Sequence, residues 1–362
     1  MILIAAAIAA AYQLVALIAC VVFRFAKKRT DDRGQRPVNT PVTILKAVRG
    51  IDAGFREALE SHAKLDGTFE LLCGVRDPND PAVEAIRSSP RGRAIVCSTV
   101  TLNQKVGVLI DLTREAAHGV LIVNDADIRV PADYLKQVTG PLEDPEIGLV
   151  TCLYRARGVT VAGQFEALGV ATDFAPSTLV ARLVGVKEFA LGSTLAFRRA
   201  DLEKIGGFEA FADFLADDYQ LGHRLHLLGL KCVLSPAIVE TSLGGTWGGV
   251  WRHQLRWART IRVSKFWGYV GLPVTYATAW AVVAGALGRW DIAAGLIAVR
   301  MATALAGIAA LRDWRSLLFV WAVIPRDLFG VAIWIAGLVG DTVVWRGRVL
   351  RLNREGRIIV QK

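Results

Sequence analysis

Apolar residues are concentrated at the two ends of this chain, while the middle alternates short apolar runs with amphipathic segments. The first 23 residues carry no charged side chain and are long enough to span a bilayer. A basic cluster from Arg24 to Arg29 follows this segment, whereas a cleaved signal peptide has its positive charges first. The pattern predicts an uncleaved transmembrane anchor at 1–23, with the chain from residue 24 onward in the cytoplasm.

A second apolar region begins near Gly271. Two helices are predicted there, over 272–287 and 292–311, and a longer apolar stretch over 316–345 is broken at Pro325-Arg326-Asp327. The pattern predicts a C-terminal transmembrane region at 271–345 and a basic cytoplasmic tail at 346–362. Because the central residues and the tail are expected on the same side, the stretch 316–345 either enters the membrane and returns or lies partly in its interface.

Charged residues lie within this apolar region. Arg300 falls inside a predicted helix, and Arg326 and Asp327 interrupt the long stretch. Charges at membrane depth are costly and are usually paired or functional. The alternative is that Arg300 extends to the membrane surface and that Arg326 pairs with Asp327 at a surface.

The pattern over residues 40–248 predicts one α/β domain. Strands are predicted at 42–45, 69–75, 94–97 and 119–123, and helices at 55–65, 82–87, 106–117 and 219–228. This alternation is typical of a mostly parallel, doubly wound sheet with helices on both faces. Such sheets bind ligands beyond the carboxyl ends of their strands.

Carboxylates lie at two of those strand ends. Asp125 and Asp127 follow the strand 119–123, and Asp77 follows the strand 69–75. Hard oxygen ligands of this kind suit a divalent cation that keeps open positions for phosphate oxygens. The alternative is a solvated turn, where Asp is common. Asp77 and Asp125 are predicted to face one crevice.

Three further groups are predicted to belong to that crevice, namely 103–105, 205–208 with the acidic pair 217–218, and 251–257. Lys105 stands at a predicted helix start, where it either meets an anionic ligand or is solvated. Asp217 and Asp218 are adjacent, and neighbouring carboxylates raise each other's pKa when partly buried, which suits a general base. Alternatively they cap the following helix, whose N-terminus favours negative charge, or each Asp serves one of the two roles.

Residues 249–270 combine positive charge with aromatic rings. Arginines recur at helical spacing, among them Arg252 and Arg256, and Trp251 and Trp257 lie beside them. This combination is typical of an amphipathic helix that lies in the membrane interface.

Composition favours a membrane protein over a nucleic-acid-binding one. Hydrophobic residues make up 53% of the 362 positions, more than in an ordinary soluble domain. The formal net charge is +10, but the basic residues cluster beside apolar segments, so an anionic membrane surface is the predicted partner and nucleic acid is not. The 5 cysteines show no C-x-x-C pairing and are expected to be reduced thiols.

The order of these motifs resembles that of lipid-directed and processive inverting glycosyltransferases with a GT-A fold. Along the chain, Asp77 is followed by N-x-K ending at Lys105, D-x-D at 125–127, G-G-F at 206–208, the acidic pair at 217–218 and R-W at 256–257. The chain is most similar to the ceramide glucosyltransferase-like family, glycosyltransferase family 21. The segments 123–130, 215–222 and 253–260 look most like the bacterial hopanoid-associated branch of that family.

This resemblance implies roles for the residues on the donor side. Asp77 would contact the uracil or ribose end of a UDP-sugar, and Lys105 would lie near the nucleotide. Asp125 and Asp127 would hold the diphosphate, Asp127 through Mg²⁺ or Mn²⁺.

The resemblance also implies roles for the remaining residues. Asp218 matches the position of the family's general base, with Asp217 as its acidic neighbour, and Arg256 and Trp257 match the family's R-W. His253 stands where the family pattern has Gln or Arg, and because His titrates near neutrality, a diphosphate contact there would depend on pH.

The implied function is that of a membrane-bound inverting glycosyltransferase of a bacterial inner membrane, with its catalytic domain in the cytoplasm. It would move a hexose or N-acetylhexosamine from UDP-glucose or UDP-N-acetylglucosamine to a hydroxyl of a membrane lipid, either ceramide or a hopanoid polyol. Two alternatives stay open. One is a processive polysaccharide synthase, which needs more spanning helices for its polymer channel, and the other is a non-catalytic membrane protein that binds nucleotide or anionic lipid.

Overall fold

The chain folds into two compact units. The computed structural model describes residues 2–32, 40–186, 188 and 190–359. We call 30–154 together with 186–242 the sheet unit, and 1–29 together with 155–185 and 243–362 the helical unit. Residues 155–185 thus group with the helical unit, whereas the sequence predicts one continuous domain over 40–248.

Strands and helices alternate along the first two thirds of the chain, and helices dominate the rest. The strands are β1 Val42–Ala47, β2 Phe69–Val75, β3 Gly92–Val96, β4 Val120–Val123, β5 Ile147–Gly158, β6 Leu195–Arg198, β7 Lys231–Leu243, β8 Thr342–Trp345, β9 Arg348–Leu352 and β10 Ile358–Ile359. The helices are α1 Ile2–Asp32, α2 Phe55–Ala63, α3 Ala82–Arg87, α4 Gln104–Glu115, α5 Tyr134–Thr139, α6 Val161–Gly169, α7 Ala175–Leu183, α8 Arg199–Lys204, α9 Asp217–Leu227, α10 Trp247–Ser264, α11 Phe266–Gly271, α12 Ala277–Ala286, α13 Trp290–Leu311 and α14 Val323–Gly337.

The sheet unit is built on one sheet of 7 strands in the order β3-β2-β1-β4-β6-β5-β7. The four strands β1 to β4 pair in parallel, and β6 pairs antiparallel with both β4 and β5. The predicted mostly parallel sheet is therefore confirmed, with an antiparallel strand inserted next to β4. All four parallel strands end at the same edge, which is where the predicted site residues of this unit begin.

Helices cover both faces of the parallel strands. Ile44 and Leu71 are fully buried in one core with α2, α3 and α5, while their neighbours Leu45 and Leu72 are fully buried in a second core with α4 and α9. Alternate residues of a strand point to opposite faces, so an apolar run without polar interruption requires cover on both sides. This is the physical basis of the doubly wound arrangement.

The elements that carry the predicted site lie close to their expected positions. The first four strands and helices α2, α3, α4 and α9 begin and end within 2 residues of the predicted bounds. Strands β5, β6 and β7 are not predicted. Their sequences mix polar and apolar residues, and β7 alternates between buried and partly exposed positions over much of its length.

The helical unit contains the candidate membrane spans. Among the residues that the structure describes, three helical segments are long and apolar enough to cross a bilayer, namely Leu3–Phe25, Trp290–Leu311 and Trp314–Gly337. The pair Phe266–Thr275 and Ala277–Ala286 passes the same test when taken together, although it bends by 50°. The predicted anchor at 1–23 and the helices predicted at 272–287 and 292–311 overlap these segments.

The predicted break at Pro325 is wrong. A 3₁₀ segment, Trp314–Ala322, continues directly into α14, and Pro325 lies in the first turn of α14. A proline is tolerated there because a first-turn N–H has no acceptor within the helix. The stretch 316–345, for which re-entry and an interfacial position were both open, is one helical segment as far as Gly337. Asp327 pairs with Arg300, so the alternative in which Arg326 pairs with Asp327 does not hold.

The segment predicted as a basic tail contains β-structure. Strands β8, β9 and β10 form a three-stranded antiparallel sheet. In β9 the buried Leu350 and Leu352 alternate with exposed Val349 and Arg351, and Arg351 pairs with Asp341 at 2.6 Å. The period-two pattern is short, and the arginines between its apolar positions hide it in the sequence.

Candidate active site

The loop after β4 is anchored by a buried asparagine. The Asn124 side-chain amide donates to the Tyr134 hydroxyl at 2.9 Å and to the Ser193 carbonyl at 2.8 Å. Its backbone N–H donates to the Leu45 carbonyl at 3.1 Å, and its side-chain oxygen lies 3.3 Å from the His62 ring. Asn124 thereby fixes the point at which the acidic residues leave the strand.

A buried lysine holds the backbone of the same loop. Lys46 is fully buried, and its Nζ donates to the carbonyl oxygens of Asp125 at 2.9 Å, Ile128 at 3.3 Å and Ala126 at 3.4 Å. Burial lowers the pKa of Lys46 to about 8, although nearby Cys73 and the two loop aspartates act in the opposite direction. Sequence reasoning missed Lys46; the signal was a lysine at the end of an otherwise apolar strand.

Lys105 bridges two carboxylates. Its Nζ lies 2.9 Å from Asp125 Oδ1 and 3.0 Å from Asp217 Oδ2, and only 15% of its side chain is exposed. Burial alone would lower the pKa of Lys105, but Asp125, Asp217 and Asp218 together raise it. The lysine therefore stays protonated, and it lies between the acidic residue that follows β4 and the pair that opens α9.

The position of Lys105 is set by the cap of α4. The Asn103 side chain accepts from the N–H groups of Lys105 at 3.1 Å and Val106 at 3.4 Å, as an N-cap residue does. Its amide group also donates to the Phe214 carbonyl at 2.8 Å. This second bond links the start of α4 to the chain that leads into α9, so one residue aligns Lys105 with the acidic pair.

Asp217 and Asp218 lie in the first turn of α9 and have different partners. Asp217 is paired with Lys105, while the Asp218 carboxylate accepts from the Gly192 N–H at 2.9 Å and from the Tyr219 N–H at 2.8 Å. The N-cap position itself is Ala216, so neither aspartate is the cap residue. Burial raises the pKa of Asp218 to about 6, with Asp217 adding to the effect and Lys105 opposing it.

Gly192 lies between two carboxylates, and sequence reasoning missed it. A Cβ at this position would lie 3.2 Å from Asp218 Oδ2 and 3.7 Å from Asp125 Oδ2. A Cβ here would therefore crowd the Asp218 carboxylate and would be in van der Waals contact with that of Asp125. The available signal was the Gly-Ser-Thr sequence directly before β6.

Asp127 faces β7 rather than Lys105. Its Oδ2 accepts from the Thr241 hydroxyl and from the Ser242 N–H at 3.4 Å. Burial raises the pKa of Asp127, while the Thr241 hydrogen bond lowers it and the Asp125 charge raises it further. A β-bridge between Arg129 and Glu240 holds the loop beside β7.

Asp77 lies at the same sheet edge and is exposed. Its side chain accepts from the Asn79 N–H at 2.9 Å in the turn after β2. The neighbouring Asp80 accepts from the N–H groups of Gly50 and Ala82, which ties the turn after β1 to the start of α3. The carboxyl ends of β2, β1 and β4 are adjacent, as the prediction of a single crevice requires.

The donor set of this edge suits a hard divalent cation that is completed by a substrate. Within the described part of the chain, no group of three or more His, Cys, Asp or Glu side chains is placed to hold a metal on its own. Mg²⁺ is commonly held by one or two carboxylates plus substrate phosphates. Asp125, whose side chain is 47% exposed, and Asp127 provide such carboxylates.

The remaining predicted residues belong to α10 in the helical unit. His253 Nδ1 lies 2.6 Å from Glu166 Oε1, and Gln254 donates to the same oxygen at 2.7 Å. The Trp257 ring lies 4.9 Å from the His253 ring, and Arg256, which precedes Trp257 in the chain, is half-buried. Burial would raise the pKa of Glu166, but its bond to His253 lowers it. Glu166 was missed; it is an acid in an otherwise uncharged helix.

Residues 1–358 match the model of Glycosyl transferase family 21. The chain belongs to this family. Family and fold together identify a glycosyltransferase with a GT-A domain, to which apolar helices are added at both ends.

Curated relatives include lipid-directed and polymer-forming enzymes. Ceramide glucosyltransferase 1 of Caenorhabditis elegans is 23% identical over 366 aligned positions, which cover 90% of this chain and 74% of that protein. Poly-beta-1,6-N-acetyl-D-glucosamine synthase of Staphylococcus aureus is 24% identical over 197 positions, which cover 54% of this chain but only 44% of that protein. The similarity to the ceramide enzyme thus extends over more of both chains.

A solved structure supports the fold. The mannosyltransferase PcManGT of Pyrobaculum calidifontis, described in complex with GDP-Man and Mn²⁺, superposes with a TM-score of 0.52 at 20% identity. The superposition covers 92% of this chain and 97% of the mannosyltransferase. At this identity the likeness establishes the fold alone.

Proposed function

We propose that this protein is a membrane-bound inverting glycosyltransferase that transfers a hexose or N-acetylhexosamine from a UDP-sugar to a hydroxyl group of a membrane lipid. The observation that carries the proposal is the charge cluster at the sheet edge. Lys105 pairs with both Asp125 and Asp217 there, while burial and the Asp217 charge raise the pKa of Asp218 to about 6. A carboxylate with this pKa is ionised at neutral pH and is still basic enough to accept a proton during catalysis.

On the donor side, Asp77 and Lys105 are proposed to contact the nucleotide of UDP-glucose or UDP-N-acetylglucosamine. Asp125 and Asp127 would hold Mg²⁺ or Mn²⁺. When bound, the cation neutralises the charge that develops on the departing diphosphate. The loop that carries both aspartates is held by Asn124 and Lys46, so their carboxylates are positioned before the donor arrives.

On the acceptor side, Asp218 is proposed to be the general base. The N–H groups of Gly192 and Tyr219 fix its two oxygens, and Asp217 increases its basicity by charge repulsion. The lipid hydroxyl oxygen forms a bond to the anomeric carbon, the bond from that carbon to the diphosphate breaks, and the hydroxyl proton passes to Asp218. A single displacement inverts the anomeric centre, so an α-linked donor gives a β-glycoside.

The roles proposed for the α10 residues rest on the positions that these residues occupy in the family's sequence motif. Arg256 is proposed to act on the diphosphate and Trp257 on the acceptor. His253 is engaged with Glu166 through Nδ1, so Nε2 is the ring atom left to face a ligand.

The acceptor is proposed to be a lipid because the chain combines a GT-A domain with candidate membrane spans, as its ceramide-directed relative suggests. If the bent pair Phe266–Thr275 and Ala277–Ala286 enters the membrane and returns on the same side, two spanning helices follow β7. An even number is required because the basic residues predict the same side of the membrane for the GT-A domain and the C-terminal residues. The GT-A domain and the C-terminal residues would then both lie in the cytoplasm, at the inner membrane of a bacterium. Ceramide and a hopanoid polyol are the proposed acceptors.

The test is a product assay with the purified full-length chain. Each UDP-sugar is incubated with Mn²⁺ and either ceramide or a hopanoid-containing lipid extract, and lipids are analysed by mass spectrometry. We expect one lipid to gain a single sugar residue, and we expect Asp218→Asn to bind UDP-sugar without turnover. Absence of glycolipid in every combination would refute the proposal, and products with many sugars would indicate a polysaccharide synthase instead.

A further inference from the structure

Strand β7 supplies two hydrogen-bond donors to Asp127, one of the residues proposed to hold the cation. The Thr241 hydroxyl and the Ser242 N–H both donate to Asp127 Oδ2, the N–H at 3.4 Å. The two donors lie 114 and 115 residues further along the chain than their acceptor. The contact therefore joins the loop after β4, in the middle of the seven-stranded sheet, to the strand at its edge.

A short antiparallel bridge fixes this part of β7 beside the loop. The Arg129 N–H donates to the Glu240 carbonyl at 2.8 Å, and the Glu240 N–H donates to the Arg129 carbonyl at 2.9 Å. The side chains of the same two residues form an ion pair. Because Thr241 directly follows Glu240, main-chain pairing fixes the backbone that carries the donating hydroxyl.

Gly54, just before α2, makes room for the end of β7. A Cβ at this position would lie 2.9 Å from the Ser242 Cβ and closer still to its Oγ. The φ of Gly54 is 83°, which is in the left-handed region that side chains other than hydrogen rarely adopt. Glycine therefore allows Ser242, and with it the second donor to Asp127, to lie against the start of α2.

Both donors from β7 act on the same oxygen of the Asp127 carboxylate. A carboxylate has two oxygens, and donors that are fixed on one of them set the direction of the other. Asp125 is held in a comparable way, since its Oδ1 lies 2.9 Å from the Lys105 Nζ of α4. Each of the two aspartates thus has one oxygen held by a neighbouring element, and for Asp127 the oxygen that suits a cation is Oδ1.

We infer that Thr241 is a positioning residue for the divalent cation. Its hydroxyl holds Asp127 Oδ2, so that the other oxygen of this carboxylate is oriented to bind the cation together with Asp125. Thr241 acts only through Asp127, and Ser242 contributes only its backbone N–H. The inference rests on the proposed function, in which Asp125 and Asp127 hold Mg²⁺ or Mn²⁺.

The experiment measures UDP binding to the full-length protein in detergent, with no acceptor present. UDP is titrated calorimetrically into each protein, once with Mn²⁺ and once with a chelator. Thr241→Val keeps the branched shape of the side chain but removes the hydroxyl. It should weaken UDP binding in Mn²⁺ by about 10- to 100-fold, as loss of a hydrogen-bond partner of a metal ligand typically does. In the chelator it should bind UDP as wild type does.

Further variants make the result specific to the hydroxyl and to Asp127. Thr241→Ser keeps the hydroxyl and should bind UDP as wild type does, while Thr241→Ala removes it and should behave like Thr241→Val. In an Asp127→Ala background, Thr241→Val should have no additional effect, because Thr241 acts through Asp127. Thr113→Val is the matched control, since the Thr113 hydroxyl bonds the Leu109 carbonyl within α4 at 2.7 Å; it should bind UDP normally.

Three results would overturn the inference. The first is wild-type UDP affinity in Mn²⁺ for Thr241→Val, and the second is an equal loss of affinity in the chelator; both leave Asp127 as a proposed ligand. The third is a loss that persists in the Asp127→Ala background, since Thr241 would then act on the nucleotide itself. If wild type binds UDP equally with and without Mn²⁺, the proposed metal site fails as well. Because no acceptor is present, failure of the transfer reaction does not alter these results.

Discussion

At the scale of single residues, the acidic edge of the sheet is organised by two lysines with different tasks. Lys46 is buried under the loop after β4 and holds its backbone carbonyls, while Lys105 is partly accessible and holds two carboxylates. Lys46 therefore fixes the loop, and Lys105 stabilises the charged form of the acids around it. Asp218 accepts from N–H groups rather than from a lysine and has a raised pKa, which fits its proposed role as the base.

The first prediction concerns the pH dependence of kcat/KM. Because Asp218 must be ionised to act as the base, the rate should rise with pH through a pKa of about 6. Asp217→Asn removes a repelling charge and should shift this limb to lower pH. Lys105→Met removes an attracting charge and should shift it to higher pH. Measurement of kcat/KM against pH for the three proteins checks both signs; shifts in the same direction would contradict the assignment.

The second prediction concerns the metal. Asp127→Ala should abolish the part of UDP-sugar binding that depends on Mn²⁺, because it removes a hard oxygen ligand. Isothermal titration with and without a chelator gives the measurement, and the chelated wild-type protein is the control. An affinity for UDP-sugar that the substitution and the chelator both leave unchanged would rule out this role for Asp127.

Part of the residue-level site could be predicted from the sequence. Asp125 and Asp218 follow or begin regular elements, so their places at the sheet edge follow from the pattern. Lys46 and Gly192 could not be found in this way, because their importance comes from contacts between segments distant in the chain. Local patterning carries no information about which backbone carbonyl a buried lysine will reach.

At the scale of elements, glycines determine how closely the helices of the helical unit pack. Gly307 of α13 lies against a π-helical turn, where a Cβ would come within 2.2 Å of the Ala171 carbonyl oxygen. This close approach places α13 next to the π-helical turn Val170–Phe174. Position 307 therefore tolerates no side chain without movement of the backbone.

The third prediction uses two glycines of the same helix. Gly307→Ala should destabilise the protein by about 1–3 kcal/mol, since the added methyl group forces packed backbones apart. Gly295→Ala is the matched control because nothing lies within 4 Å of a Cβ there. It should leave stability unchanged or raise it slightly, as alanine favours helix. Thermal unfolding in detergent measures both; equal effects of the two substitutions would contradict the packing argument.

As with the site residues, some helices and strands could be predicted from the sequence and others could not. The first four strands have apolar runs that identify them, and both faces of the parallel region are covered as such runs require. The antiparallel β6 and the small sheet of β8 to β10 were missed because short strands with polar residues give little periodic signal. At Pro325 the local rule that proline breaks helices was misapplied, since the helical segment changes from 3₁₀ to α just before it.

At the scale of the whole molecule, the chain combines a GT-A sheet unit with a helical unit that collects segments from three parts of the sequence. The inclusion of residues 155–185 in the helical unit could not be foreseen, because it depends on long-range packing rather than on local pattern. This combination of units, and the resemblance to ceramide glucosyltransferases over 90% of the chain, support a transferase that works on lipids. For this transferase we propose a single inverting displacement on a lipid hydroxyl, with Asp218 as the base.

The configuration of the product tests that claim most directly. The glycolipid formed from a UDP-α-sugar by wild-type protein is isolated, and the coupling of its anomeric proton is measured by NMR. We predict a β-glycoside with one sugar per lipid, and no detectable product from Asp218→Asn despite normal UDP-sugar binding. An α-glycoside, or a β-glycoside formed at the wild-type rate by Asp218→Asn, would contradict the account.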